Sequence, residues 1–331
     1  MAAKKHHYVP VFYQKGFGDA ENMLWVYDRK LKTYKHLHPK VICRQEDLYT
    51  VRPGNAPTDR RIETDVLSPI EGIAAPIIRR LAPGIPLSQD KIAWLAFFIA
   101  LQRSRLPSFG RAISKVYEVN MEQALRMQFA NVDRATAAFS QLAKTGKKVD
   151  VDPASMVKAV LNREIKIAAT ERPFLENMFE MALRLAGWMG RADWSFLVAP
   201  MSHPFILCDN PFTAVPAEGM ALEGVGPGCP GVVNYFPITK RLCLRLYYGR
   251  FDTRFWDIDS LYVRLVNRNV AANSERFIMG SNRHQLEDII SSSGCEGFEE
   301  GERFKVDVLT SNEMKALVKF SFPPGRYFYH K

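Results

Sequence analysis

Cysteine is scarce in this 331-residue chain. There are five, Cys43, Cys208, Cys229, Cys243 and Cys295, with no C-x-x-C pair among them. An odd, scattered set argues against a zinc ribbon or a disulfide framework and fits reduced thiols in a cytoplasm. Long apolar runs are absent too. The most apolar stretch, residues 92–101, is too short to span a bilayer and is bracketed by Asp90, Lys91, Arg103 and Arg105. It reads as a buried helix, and no membrane partner is expected. The opening Met-Ala-Ala-Lys-Lys-His-His lacks the apolar core of a signal peptide, so a cytoplasmic location is expected. The common catalytic signatures are missing as well: no H-E-x-x-H, no G-x-S-x-G, no kinase set. Gly224-x-Gly226-Pro227-Gly228 lacks the Lys-Ser/Thr of a P-loop and the strand that precedes a dinucleotide site, so it reads as a loop.

What is present is an ordinary globular composition, 47% hydrophobic and 24% charged, with a net charge of +10. That is enough apolar material for a sizeable core. The basic excess fits nucleic acid, an anionic surface or acidic ligands, and it fits plain solubility equally well, because it is not gathered in one tract.

Periodicity divides the chain into strands, then about a hundred helical residues, then mostly strands. Residues 23–28 and 33–37 read as a hairpin, with 41–43 extending its sheet. Residues 52–59 read as a loop. A helical pattern covers 61–81, broken or kinked at Pro69 and Pro76. Ser88 reads as the N-cap of a helix over 89–104 that is apolar on every face and therefore central. One or two amphipathic helices follow over 111–144. Asp152-Pro153 gives an N-cap with proline at the first helical position. Phe174, Met178, Met181 and Leu185 form a core stripe. Strand-like runs occupy 194–199, 205–208, 232–236 and 242–248. Residues 260–279 read as a helix and 285–291 as another, and 305–309 and 317–322 as closing strands. The expected fold is α+β, one integrated domain over 1–331. Its parts are N-terminal strands and a loop (1–60), a helical region (61–190) and a strand-rich region with late helices (191–331). N- and C-terminal strands are expected to share a sheet beside the helices.

Titratable groups concentrate at one place beyond what a core needs, Lys4-Lys5-His6-His7-Tyr8. Adjacent residues on a strand face opposite ways, so both histidines do not ligate one metal from extended backbone. One can act as general base or ligand while the other packs, or both can be structural anchors. Asp209-Asn210-Pro211 ends a buried strand with a carboxylate and an amide, suited to acid–base or metal chemistry and equally to capping a turn. Arg103 and Arg105 end the apolar helix, where arginine binds phosphate or simply complements the helix dipole. His36, His38 and Cys43 have ligand chemistry but read as a polar hairpin face.

His6-His7-Tyr8-Val9-Pro10, followed by Phe12-Tyr13 and Phe17, resembles the opening signature of an uncharacterised, mainly bacterial family, domain of unknown function four-two-three-eight. Trp25-Val26-Tyr27-Asp28, Glu46-Asp47-Leu48-Tyr49, Ser68-Pro69-Ile70-Glu71, Arg105-Leu106-Pro107, Asp209-Asn210-Pro211, Phe236-Pro237-Ile238, and Asn267 with Arg276 agree with it in order. Val11, Gln14 and Cys208 depart from the usual pattern. The resemblance implies one integrated fold and supplies no reaction.

The expectation is a nucleic-acid-processing phosphodiesterase, a defence or toxin-like effector. In it His6 or His7 serves as general base or metal ligand. Asp209 and Glu71 supply carboxylates, Asn210 orients, and Arg103 or Arg105 binds phosphate. A divalent metal is compatible with this set. The alternative is a non-catalytic nucleic-acid- or protein-binding regulatory module, in which the same residues hold the structure together.

Overall fold

The computed structural model describes residues 5–50, 61–83, 85, 87–146, 150–168, 172–220, 226–249, 252–297, 304–308 and 316–320. The loop expected over 52–59 lies outside them. The chain starts with a short strand, β1 (Lys5–His7), and a brief helix, α1 (Val11–Lys15). The expected hairpin follows as β2 (Leu24–Asp28) and β3 (Thr33–Leu37). Asp28 closes it, its Oδ1 accepting from the backbone N–H groups of Lys30 and Leu31, while Lys32 takes a positive φ of 53°.

Residues 41–43 do not extend that sheet. Pro39, which has no N–H to give a ladder, opens a 3-10 turn over Pro39–Val41, and Cys43 turns the chain at φ 52°. The next strand, β4 (Arg44–Glu46), therefore leaves the hairpin and pairs antiparallel with β1 as a separate ribbon.

A π-helical turn (Ile62–Leu67) leads into α2 (Ser68–Arg80). Pro69 falls in the first turn, where no donor is needed, and Pro76 lies inside α2 without ending it. Four helices follow: α3 (Gln89–Ser104), α4 (Pro107–Gln128), α5 (Val132–Lys144) and α6 (Pro153–Leu161). The region ends with α7 (Arg172–Met189). Asp152 caps α6 by accepting from the Ser155 N–H at 2.9 Å. Helix α3 packs against α7 and α2 and buries Leu95, Phe98, Ile99 and Leu101. It is not covered on every side, because Trp94 stays 40% exposed. The expected stripe on α7 does face the core, with Phe174 and Met178 buried and Met181 and Leu185 packed at its margin.

The last third supplies β5 (Asp193–Val198), β6 (Leu207–Cys208), β7 (Thr213–Pro216), β8 (Val232–Thr239), β9 (Leu242–Tyr247) and β10 (Thr253–Asp257). Then come α8 (Ser260–Asn273), β11 (Phe277–Gly280), α9 (Arg283–Ser293), β12 (Phe304–Val308) and β13 (Ala316–Phe320). Residues 260–279 are thus a helix and a strand, not one helix. The Asp209 carboxylate takes the backbone N–H groups of Glu275, Arg276 and Phe277, which a continued helix would have bonded to its own carbonyls.

The fold is α+β. One sheet runs β10-β5-β9-β8-β7, antiparallel except for the β10–β5 pair. A second runs β3-β2-β11-β6, so the N-terminal hairpin shares a sheet with strands from the last third. Strands β12 and β13 pair with each other. One hydrophobic cluster reaches from Tyr8 to Cys295, and a small satellite forms where α5 meets α6, around Phe129, Ala135 and Val157.

Candidate functional site

The β1–β4 ribbon separates the two histidines as alternation dictates. His6 is fully buried and His7 is half-buried. Behind His6 stands Tyr49, whose ring stacks on the imidazole at 5.5 Å and whose backbone N–H donates to His6 Nδ1 at 3.0 Å. A nitrogen that accepts carries its lone pair, so this bond assigns the ring proton to Nε2. Nε2 lies 3.5 Å from Glu63 Oε2 on the π-helical turn. His6 therefore carries its proton on the side that faces Glu63.

His7 has the opposite character. Its Nε2 lies 3.1 Å from the carbonyl of Lys40, which only accepts, so Nε2–H donates and Nδ1 keeps its lone pair. Among the described residues Nδ1 has no hydrogen-bond partner. Burial is the largest influence on His7 and holds its pKa below the ordinary imidazole value; Arg44 pushes the same way, against Lys40, Glu63 and Glu71. The ring is anchored, neutral at neutral pH and within electrostatic reach of two carboxylates.

Glu71 and Arg105 meet at the back of the same region. Arg105 ends α3 almost fully buried, with Nε donating to the Tyr8 carbonyl at 2.9 Å and Nη1 to Glu71 Oε1 at 2.8 Å. Gln102, one turn earlier, donates to the same carbonyl at 2.6 Å. The second guanidinium nitrogen, Nη2, is buried without a hydrogen-bond partner among the described residues. Glu63 and Glu71 both act on the phenol of Tyr49, which burial pushes up. The residues brought together are thus His6, His7, Glu71 and Arg105, with Glu63, Tyr49 and Gln102 beside them.

Asp209 is engaged elsewhere, and the side-chain Oδ1 of Asn210 beside it is buried without a hydrogen-bond partner among the described residues. Asp209 is 2% exposed, and its three backbone bonds hold the turn between α8 and β11. The backbone carbonyl of Asn210 accepts from Asn273 Nδ2 at 2.7 Å, which ties this turn to α8. Arg103 lies over the Phe212 ring at 5.2 Å, with its pKa pulled down to about 10 by burial, and is still cationic at neutral pH. The weaker ligand candidates are dispersed. His36 bonds Asp19 at 2.6 Å, His38 Nδ1 accepts from the Lys40 N–H, and Cys43 is buried against Met279. Among the described residues one trio of ligand-type groups lies within 4.8 Å of one another, Asp19, Glu21 and His36, on the hairpin and its approach.

Glu63 was not legible as a site residue. It lies on the π turn, whose extra residue shifts the helical phase between it and Glu71. Among the described residues no helix is long and apolar enough to cross a membrane. A family model described as "Protein of unknown function (DUF4238)" matches residues 5–284. No curated protein matches the chain, and no solved structure matches it.

Proposed function

Since the chain belongs to the DUF4238 family of proteins of unknown function, which brings no reaction with it, we propose one from the site itself: hydrolysis of a phosphodiester bond in nucleic acid. His7 is the general base. The observation that carries this reading is the anchored His7 ring, with Nε2–H on the Lys40 carbonyl, Nδ1 without a hydrogen-bond partner among the described residues and the ring held neutral. A base that is unprotonated at neutral pH and fixed in orientation is what proton abstraction from water requires. In the step, the oxygen of water bonds to phosphorus and the ester P–O bond breaks. The proton of water goes to His7 Nδ1, and the leaving oxygen takes one from solvent. Glu63 and Glu71 stabilise the imidazolium that forms, and the net positive chain favours an anionic substrate. Such cleavage is the chemistry a defence or toxin-like effector uses. The test is incubation of the purified protein with labelled RNA and DNA, with and without a divalent metal.

A second reading, non-catalytic binding of nucleic acid, has its own observation. Asp209, His6 and Arg105 are all committed to bonds within the fold. Tight binding without turnover under every metal condition selects this reading.

A further inference from the structure

Beside the β1–β4 ribbon opens a cleft of about 520 Å³, within the size range of small-ligand sites. Cations reach it from four separate elements: Lys5 and Arg44 from the ribbon, Lys30 from the hairpin turn, Arg111 from the first turns of α4, and Arg276 from the turn before β11. Among the described residues the only carboxylate in its lining is Glu46, 3.9 Å from Lys5. Three more stand behind the wall and are already engaged. Asp28 holds Arg276 at 2.7 Å, Glu275 takes Ser108 and Arg111, and Asp209, which acts on Tyr8 and Cys43, takes the backbone N–H groups of Glu275, Arg276 and Phe277. Lys30 and Arg44 are exposed and have no ion pair among the described residues. The deep wall is neutral. Tyr8 lies there against Cys43, and burial keeps both the phenol and the thiol protonated. Cations converging from several elements on a neutral floor select an anion with several acceptor oxygens.

We propose that this cleft binds a phosphate group of a nucleotide or nucleic-acid strand, with Lys30 and Arg44 as its unneutralised contacts. The inference rests on the nucleic-acid reading above for the class of ligand and is independent of whether His7 turns it over.

The experiment is fluorescence polarisation of a short labelled single-stranded oligonucleotide, from about 50 mM to about 200 mM KCl. It compares the full chain with Lys30→Glu, Arg44→Glu and His7→Ala, each first checked by thermal melt. Inorganic phosphate, a mononucleotide and the unlabelled strand serve as competitors. Both cleft variants are expected to melt like the parent and bind about tenfold more weakly, with a salt slope shallower by about one. His7→Ala is expected to bind unchanged, so a failure of the catalytic reading leaves this result standing. Competition by inorganic phosphate marks the phosphate group alone as the ligand; competition only by the strand marks the nucleic-acid backbone. Unchanged affinity and salt slope in both folded cleft variants would overturn the proposal, as would the absence of any binding at low salt.

Discussion

Replacing His6 tests how the opening motif is built. The His6 ring is fully buried, accepts the Tyr49 N–H at 3.0 Å and stacks on the Tyr49 ring. His6→Ala leaves a buried backbone donor unbonded, at about 1–3 kcal/mol. The lost stacking adds about 0.5–1.5 kcal/mol. We expect a total loss of about 1.5–4.5 kcal/mol, the sum of these two effects. His6→Phe keeps a ring and removes only the acceptor, so it should lie near the lower end of that range. His7→Ala removes a bond to the carbonyl of exposed Lys40, which water replaces, and should cost about 0.5 kcal/mol or less. The assay is urea unfolding at pH 7.5 followed by tryptophan fluorescence, with all three variants measured beside the parent. Equal destabilisation by His6→Ala and His7→Ala would refute the inward–outward division, and so would a His6→Ala protein as stable as the parent.

Three further outcomes follow from the same geometry. Because the His7 pKa is depressed on folding, the unfolded chain binds the extra proton first as pH falls below 6.5, the ordinary imidazole value. The stabilising contribution of a neutral His7 is therefore complete above that pH and is lost as pH falls through the folded pKa; a melting-temperature series lacking this decline in the parent, or retaining it in His7→Ala, contradicts the assignment. Asp209→Asn keeps one acceptor oxygen for three backbone donors and should cost about 1–3 kcal/mol, with any loss of activity no greater than the loss of folded protein. A fragment ending at residue 190 lacks β11, which pairs with β2, and should show no cooperative melt of its own, whereas a soluble, folded fragment would divide the chain into independent units.

The hairpin, the bounds of α3, the start of α6 and the core stripe were legible because each is a local pattern: alternation, helical period, or a capping residue such as Asp152. The errors came where a distant group overrides the local pattern. Residues 274–277 carry a helical period, yet the Asp209 carboxylate, more than sixty positions away in sequence, takes their donors and turns the chain into β11. The same bonds give Asp209 a structural task that was hidden, since a buried acid at a strand end is identical in sequence whether it serves a substrate or a turn. Alternation did foretell that one histidine points in and one out. Which nitrogen carries the proton was not readable, because it depends on the Tyr49 N–H and the Lys40 carbonyl arriving from other parts of the chain. The cationic cleft was equally hidden, its charges being spread from Lys5 to Arg276.

The most direct measurement of the central claim is single-turnover cleavage of labelled RNA and DNA by the parent and by His7→Ala, in Mg²⁺, in Mn²⁺ and in chelator. Cleavage by the parent is expected, with a rate reduced by about a hundredfold or more in His7→Ala at unchanged stability and unchanged binding. Cleavage by His7→Ala at the parent rate, or no cleavage by the parent in any of the three conditions, would contradict that claim.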